Sequence, residues 1–129
     1  MSQKKIKAVL FDMDGVLFNS MPYHSEAWHN VMKSHGLTLS REEAYMHEGR
    51  TGAATINIVF QRELGREATQ EEIESIYQEK SVLFNSYTEA EQMPGAWELL
   101  QKIKNEGLVP MVVTGSGQLS LLERLEHNF

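Results

Sequence analysis

Hydrophobic residues form two short runs, the first broken by Lys7, and stretches with helical spacing separate them. The runs, residues 6–11 and 108–113, are rich in strand-forming side chains, which predicts two buried strands. Between them, apolar residues recur every three or four positions, which predicts a series of amphipathic helices. A last helix is predicted from about Leu119. This order predicts an α/β fold in which residues 18–92 lie between the strands as a helical insertion.

Polar residues and glycines mark the ends of the predicted helices. Ser40 with Glu43, and Thr69 with Glu72, have the spacing of a capping box and predict two helix starts. Gly65 ends the helix between them. The last of these helices presents one apolar face, formed by Ile73, Ile76, Tyr77, Leu83, Phe84 and Tyr87.

Composition excludes several classes of function. The 129 residues carry a net charge of −6 and contain no basic block, so an extended nucleic-acid surface is not expected. The chain has no cysteine, which excludes disulfides and thiolate metal sites. No apolar run is long enough for a signal peptide or a membrane span, so we expect a cytoplasmic protein without a membrane partner.

The first strand runs directly into two carboxylates, Asp12 and Asp14. They are the only aspartates in the chain, whereas sixteen glutamates supply its other acidic positions. Ligands of open parallel sheets bind at the carboxyl ends of the strands. One carboxylate there could attack a metal-bound phosphate, and the other could act as acid and base. The alternative is an ordinary solvated turn with two acidic residues.

The second strand also ends in small polar residues, Thr114, Gly115 and Ser116. A threonine hydroxyl, the following amides and a helix N-terminus can hold a phosphate oxygen. Alone, such a segment is more often a simple connection from strand to helix. If the two strands are neighbours in one sheet, both loops can contact the same phosphate.

The two loops resemble the first and second motifs of the haloacid dehalogenase (HAD) superfamily. The matching segments are F-D-M-D-G-V at residues 11–16 and V-V-T-G-S at residues 112–116. Within that superfamily the chain resembles the β-phosphoglucomutase-like phosphatases and mutases, through Met13, Val16, Asn19-Ser20 and the stretch from Tyr23-His24 to Ala27-Trp28.

The resemblance implies a Rossmann-like parallel-sheet core, a Mg²⁺ cofactor and an aspartyl-phosphate intermediate. Asp12 would be the nucleophile and a metal ligand. Asp14 would be the acid/base and would bind the metal through its carbonyl. Thr114, Gly115 and Ser116 would bind the phosphoryl group. Residues 1–17 and 93–129 would belong to the core, and residues 18–92 would form a helical cap.

Several residues of the insertion are expected to face substrate or to permit cap movement. By resemblance, His24 would lie near Asp14; the alternative is an exposed histidine at a helix start. Arg50 could clamp a second phosphate or sugar oxygens, or could be an ordinary loop arginine. Asn19, Ser20 and Pro94 mark the crossings between core and cap and are predicted hinge positions. The aromatic residues Trp28, Phe60, Tyr77 and Phe84 are expected in the cap interior.

The sequence departs from the HAD pattern after the second loop. The last lysine is Lys104, and no aspartate follows Thr114, so the family's third and fourth motifs are missing. Glu123 and Glu126 are expected on a surface helix. We therefore expect an incomplete core, as in the N-terminal part of a longer protein. Two functions follow: Mg²⁺-dependent phosphoryl transfer on a sugar phosphate, by a phosphatase or a mutase, or an inactive fragment or binding module. A phospho-accepting receiver domain fits poorly with the helical insertion.

Overall fold

The computed structural model describes residues 5–129, which form a small parallel sheet and a set of helices. The elements in chain order are β1 (Ala8–Phe11), α1 (Met21–Ser34), α2 (Arg41–Met46), α3 (Gly52–Leu64), α4 (Gln70–Ser86), α5 (Ala96–Asn105), β2 (Val109–Val112) and α6 (Leu119–Asn128). The predicted α/β class is confirmed. Within residues 5–129, none of the helices has the length and apolar character needed to cross a bilayer.

The two strands are direct neighbours although most of the chain separates them. They pair in parallel, with Ala8 opposite Val109 and Phe11 opposite Val112. The amide of Val113 then donates to the carbonyl of Phe11 at 2.8 Å. Because parallel strands end at the same edge of a sheet, this register brings the segments that follow β1 and β2 together.

The prediction that both strands are buried is wrong for one face of the sheet. Leu10, Val109 and Met111 are 63%, 56% and 50% exposed, whereas Phe11 is 8% exposed. Side chains alternate between the two faces of a strand. Among the described residues, helices cover only the face that carries Phe11, so the runs are apolar on both faces but buried on one.

Two groups of buried apolar side chains hold the elements together. The sheet cluster joins the loop after β1 to the helices around it and contains Phe11, Met13, Leu17, Phe18, Ala27, Phe84, Ala90, Ala96, Leu100, Ile103 and Leu121. The helical cluster lies between α1, α2, α3 and α4 and contains Val31, Met32, Leu37, Leu39, Ala44, Ile56, Val59, Phe60 and Ile76. Because α1 and α4 contribute to both clusters, they connect the insertion to the sheet.

The chain enters and leaves the insertion through two segments that hydrogen-bond to each other. The amide of Asn19 donates to the carbonyl of Glu91 at 2.8 Å, and the amide of Met93 donates to the carbonyl of Leu17 at 2.8 Å. Of the predicted hinge positions, Asn19 belongs to this short paired ribbon, and Ser20 and Pro94 lie next to it.

The predicted helix starts agree with the observed caps, with one difference. Thr69 and Glu72 form a complete capping box at α4. The hydroxyl of Ser40 accepts the amide of Glu43 at 3.1 Å. The carboxylate of Glu43, however, pairs with Arg62 at 2.7 Å, so α2 has only half of the predicted box. An ion pair between α2 and α3 therefore replaces the predicted contact of the Glu43 carboxylate with the backbone amide of Ser40.

Candidate active site

A cavity lies at the sheet edge where both strands end, enclosed by residues of α1, α3 and α4. Seven of the residues predicted from the sequence line it: Asp12, Asp14, His24, Arg50, Thr114, Gly115 and Ser116. Asn19, Ser20 and Pro94, the predicted hinge positions, are not part of its lining. The parallel pairing of β1 and β2 thus assembles residues that are about a hundred positions apart in sequence.

Asp12 is the exposed carboxylate of the site. It directly follows β1, and its Oδ1 accepts the amide of Met13 at 2.8 Å. No ion pair engages the Asp12 carboxylate within residues 5–129. The side chain of Met13 is fully buried, which fixes the loop below it. Asp12 therefore presents to the cavity a carboxylate that no ion pair engages, next to a buried residue that anchors the loop.

Asp14 is the buried carboxylate, with 8% exposure. Its Oδ1 accepts the Ser20 hydroxyl at 2.5 Å and lies 2.7 Å from Nε2 of His24. Burial acts to raise the pKa of Asp14, but the bonds from His24 and Ser20 and the charge of Lys80 outweigh burial. The net pKa is below the usual value, so Asp14 is a carboxylate at neutral pH. It is placed to accept a proton.

The Ser20 hydroxyl bonds to Asp14 instead of capping α1. Serine at an N-cap normally accepts an amide of the first helical turn. Ser20 occupies the N-cap position of α1 but makes no such bond, and its hydroxyl donates to Asp14. The predicted hinge residue is fully buried and fixed by this contact.

The hydrogen bonds that connect Lys80, His24 and Asp14 determine which nitrogen of the imidazole carries the proton. Nζ of Lys80 lies 2.7 Å from Nδ1 of His24. A lysine ammonium can only donate, so Nδ1 must accept and the imidazole proton must be on Nε2, facing Asp14. Burial lowers the pKa of His24, against the opposing effect of Asp14, so the ring is neutral and fits this arrangement. The alternative of an exposed histidine is wrong, because His24 is 6% exposed.

Lys80 is a buried cation in an aromatic enclosure. It is 2% exposed, and its Nζ lies 5.5, 5.6 and 5.2 Å from the ring centroids of Trp28, Tyr77 and Phe84. Burial lowers its pKa to about 8, although the charge of Asp14 opposes this effect. Cation–π contacts and the imidazole replace part of the lost hydration.

Lys80 was missed by sequence reasoning, although a signal was present. It lies four residues after Ile76 and four before Phe84, on the predicted apolar face of α4. A single charge within an apolar helical face is rarely buried unless it has a partner. This interruption of the hydrophobic pattern predicts a buried lysine with a partner, and it could have identified Lys80.

The second loop is held by its own polar groups and by α4. The amide of Ser116 donates to the hydroxyl of Thr114 at 3.0 Å, and the amide of Gly117 donates to the Tyr77 hydroxyl at 3.0 Å. Thr114, Gly115 and Ser116 all line the cavity beside Asp12. A phosphate that binds the Ser116 amide must displace Thr114 from it.

The turn between α2 and α3 closes the cavity from the opposite side. A Cβ on Gly115 would lie 3.1 Å from the carbonyl oxygen of Gly49 and 3.3 Å from that of Arg50. Glycine at position 115 thus permits close approach of this turn to the second loop. The Arg50 residue is exposed, and its guanidinium makes no hydrogen bond within the described part of the chain.

The expectation that the aromatic residues lie in the cap interior agrees with Phe60, which belongs to the helical cluster, whereas Phe84 belongs to the sheet cluster. Both are buried, at 3% and 6% exposure. Trp28 and Tyr77 also pack against the helical cluster, but they line the cavity as well. Their rings face Lys80. The apolar periodicity alone could not distinguish such cavity-lining positions from interior ones.

Replacing Gly52 with alanine should destabilise the protein by about 1–3 kcal/mol. A Cβ at this position would lie 2.3 Å from ring atoms of Tyr77. The ring cannot easily move, because its hydroxyl is bonded to Gly117. Urea unfolding of Gly52→Ala measures the effect. In a Tyr77→Ala background, the same change should be neutral or stabilising, since alanine favours helices over glycine; equal losses in both backgrounds would refute the clash.

The available oxygen donors fit a magnesium ion with few protein ligands. Asp12 offers a free carboxylate, whereas Oδ1 of Asp14 is engaged by Ser20 and His24. Asp14 is therefore suited to contribute its backbone carbonyl rather than this oxygen. Mg²⁺ is commonly held by one or two protein carboxylates, with waters and substrate phosphate completing its shell. Residues 5–129 contain no cluster of three or more metal-ligating side chains.

Comparisons with known proteins show the family and the fold of the chain. Residues 6–128 match the family model described as haloacid dehalogenase-like hydrolase. A phosphorylated carbohydrates phosphatase from Thermotoga maritima is 26% identical over 120 residues, which cover 93% of this chain and 55% of that protein.

Solved structures share the fold. One from Bacteroides vulgatus, whose assignment as a beta-phosphoglucomutase is provisional, is 68% identical, with a TM-score of 0.90 over 96% of this chain and 50% of that one. The beta-phosphoglucomutase from Clostridium difficile, 20% identical with a TM-score of 0.78, covers 94% of this chain and 57% of that one and supports the fold alone. The chain thus spans about half the length of these relatives.

Proposed function

Because the chain belongs to the haloacid dehalogenase-like hydrolase family, we propose that it carries the nucleophile and the acid/base residue of a phosphoryl-transfer enzyme. The substrate is a phosphorylated sugar, and the enzyme is a phosphatase or a phosphomutase. The observation that carries this proposal is the pair of unlike aspartates: Asp12 free and exposed, Asp14 buried and bonded to His24. The phosphatase and beta-phosphoglucomutase among the relatives support the substrate class.

In the proposed reaction, a carboxylate oxygen of Asp12 attacks phosphorus and the bond from phosphorus to the sugar oxygen breaks. The leaving oxygen takes its proton from the small fraction of molecules in which Asp14 is protonated, and Asp14 is then the carboxylate that the second step needs. In the second step, Asp14 takes a proton from water or from an acceptor hydroxyl, which then attacks the aspartyl-phosphate. The network of His24 and Lys80 favours the carboxylate of Asp14 and so favours this second step. Thr114, Gly115 and Ser116 hold the phosphoryl oxygens.

Mg²⁺ is the proposed cofactor, held by the Asp12 carboxylate and the Asp14 carbonyl. When bound, it supplies positive charge that offsets the repulsion between the phosphate and Asp12. The chain's own contribution is to fix Asp12 above the buried Met13 and to keep its carboxylate free of competing ion pairs.

Residues 18–92 are proposed to act as a cap over the sheet edge, with residues 1–17 and 93–129 as the core. The close contact of Gly49 and Arg50 with Gly115 fits a closed cap. Asn19, Ser20 and Pro94 would then lie at or next to the paired ribbon about which the cap moves. Arg50 is proposed to contact sugar or phosphate oxygens. The proposed location is the cytoplasm.

Removing the metal should lower phosphate release from p-nitrophenyl phosphate and β-glucose 1-phosphate by at least about a hundredfold. The rate of phosphate release is measured for the chain treated with EDTA, and again after Mg²⁺ or Ca²⁺ is added to the treated chain. Mg²⁺ should restore activity and Ca²⁺ should not, because Ca²⁺ prefers more ligands at longer distances. Full activity in EDTA would refute metal dependence.

A second candidate function is phosphate binding without turnover. It is favoured by the cavity lining of the described residues, in which the one lysine, Lys80, is already bonded to His24. Beryllium fluoride, which mimics a phosphoryl group on a carboxylate, separates the two. Both functions predict a bound ¹⁹F resonance that requires Mg²⁺ and Asp12, but only the enzyme releases phosphate. Absence of that resonance and of turnover would contradict both.

A further inference from the structure

Gln118 is a buried glutamine whose side chain extends from the end of the second loop to the helical insertion. It occupies the N-cap position of α6 and is 1% exposed, but its side chain makes no capping bond. Glutamine is mostly found at the surface, and a buried side-chain amide needs hydrogen-bond partners. Both partners of this amide, Lys80 and Asn85, lie on α4.

The orientation of the Gln118 amide follows from the chemistry of its two partners. Nζ of Lys80 lies 3.4 Å from its Oε1, and its Nε2 lies 3.2 Å from Oδ1 of Asn85. Because a lysine ammonium only donates, the amide oxygen must face Lys80, which leaves the NH₂ group to donate to Asn85. Gln118 therefore accepts a hydrogen bond from the same buried cation that donates to His24.

The bond between Lys80 and Gln118 joins the insertion to the rest of the chain. Lys80 lies on α4, within the insertion, as does its other partner, His24, on α1. Gln118 is attached to the second loop, because its backbone amide donates to the Ser116 hydroxyl at 3.3 Å. If the insertion moves away from the sheet edge, Lys80 keeps His24 and loses Gln118.

A neighbouring hydrogen bond between the same two parts provides a reporter of such movement. The amide of Gly117 donates to the hydroxyl of Tyr77 on α4 at 3.0 Å. Breaking this bond requires that α4 separate from the second loop. The amide of Val113, in contrast, donates to the carbonyl of Phe11 and reports on the sheet alone.

We infer that Gln118 is a positioning residue that holds α4 against the second loop and keeps Lys80 in contact with His24. Gln118 does not line the cavity, so it acts through Lys80 and not on a substrate. The inference rests on the proposed function, because it concerns the proposed cap of residues 18–92. It deepens that function, since the same contact places the cap over the loop proposed to bind the phosphoryl group.

Hydrogen exchange of the Gly117 amide, followed by NMR in the ligand-free chain, tests this role. Gln118→Met keeps the length of the side chain but removes its oxygen and its NH₂ group, so exchange at Gly117 should accelerate about tenfold. Exchange through local opening reports the population of the open form, so the ratio of the two rates measures the shift toward opening. Val113 should keep its wild-type rate; equal acceleration of both amides would overturn the inference, because the whole fold would then be weakened.

Two further variants separate the bond to Lys80 from a local change in the loop, and they decide the question if Gln118→Met does not fold. Gln118→Glu keeps an oxygen that accepts from Lys80 and adds an opposite charge, so Gly117 should exchange no faster than in the wild-type chain. Asn85→Ala removes the other partner from an exposed position far from the loop in sequence. It should accelerate exchange at Gly117 about threefold.

Gln78→Met is the matched control, because Gln78 is exposed on α4 and contacts neither Gln118 nor the second loop. It should leave both amides at their wild-type rates. Faster exchange at Gly117 in Gln118→Glu, or an unchanged rate in Asn85→Ala, would refute the role of Gln118 while the proposed phosphoryl transfer stands. Since no substrate enters this measurement, a wild-type chain that releases no phosphate would refute the proposed function without changing the result for Gln118.

Discussion

Replacing Asp12 with asparagine should reduce phosphate release by at least about a thousandfold while leaving stability unchanged. An amide is a poor nucleophile toward phosphorus and adds no charge to a metal site. Asp12 is exposed, and its single hydrogen bond, from the Met13 amide to Oδ1, can be accepted equally by asparagine. Steady-state kinetics with p-nitrophenyl phosphate, combined with urea unfolding, measures both quantities.

Asp14→Asn provides the contrast that identifies the nucleophile. p-Nitrophenol is a good leaving group that needs no proton, so this variant should still become phosphorylated, and the phosphoenzyme should then persist because water is no longer activated. Mass spectrometry of acid-quenched samples should detect the adduct in Asp14→Asn but not in Asp12→Asn. An adduct in Asp12→Asn would exclude Asp12 as the nucleophile.

Lys80 should make the protein more stable as pH rises above 8. The pKa of Lys80 is about 8 in the folded chain, whereas the ordinary value for a lysine is 10.5. Between these values the unfolded chain binds more protons than the folded chain, so the free energy of unfolding increases with pH. The full difference corresponds to about 3 kcal/mol, and it is gained as pH rises from 8 toward 10.5.

Lys80→Met removes this pH dependence and is the direct comparison. Urea unfolding at pH 7.5 and pH 10 should show a rise in the wild-type chain relative to Lys80→Met. The neighbouring Tyr77 does not mimic the effect, because burial raises its pKa. Lys33→Met, which removes an exposed lysine of α1, should follow the wild-type curve. Parallel curves for wild type and Lys80→Met would show that Lys80 keeps its ordinary pKa.

The fold class and the family could be predicted from the sequence because their signals are local or carried by short motifs. The apolar runs located both strands to within two residues at each end, and the pair Thr69 and Glu72 located the start of α4. Exposure of the strands could not be predicted from the runs. It depends on which faces of the sheet other elements cover. The apolar pattern that includes Leu10 and Met111 is the same whether their face is covered or open to solvent.

The site was predictable only where chemistry follows directly from a motif. Asp12, Asp14 and Thr114 lie at strand ends, and the parallel register brings them together. Lys80 was missed, because its contact with His24 joins two helices, α4 and α1, that are far apart in sequence. The predicted proximity of His24 to Asp14 agrees with the observed distance, but the second contact of His24, with Lys80, could not be anticipated.

The commitment of the Ser20 hydroxyl to Asp14 has a consequence for how this chain could change over evolutionary time. A helix-capping serine normally contributes about 1 kcal/mol, and α1 forgoes this contribution. Local stability and the proposed acid/base chemistry of Asp14 therefore compete for one hydroxyl. A lineage that lost phosphoryl transfer would be free to replace Asp14, cap α1 and become more stable, so persistence of the pair Ser20 and Asp14 in a descendant would itself be a sign of retained chemistry.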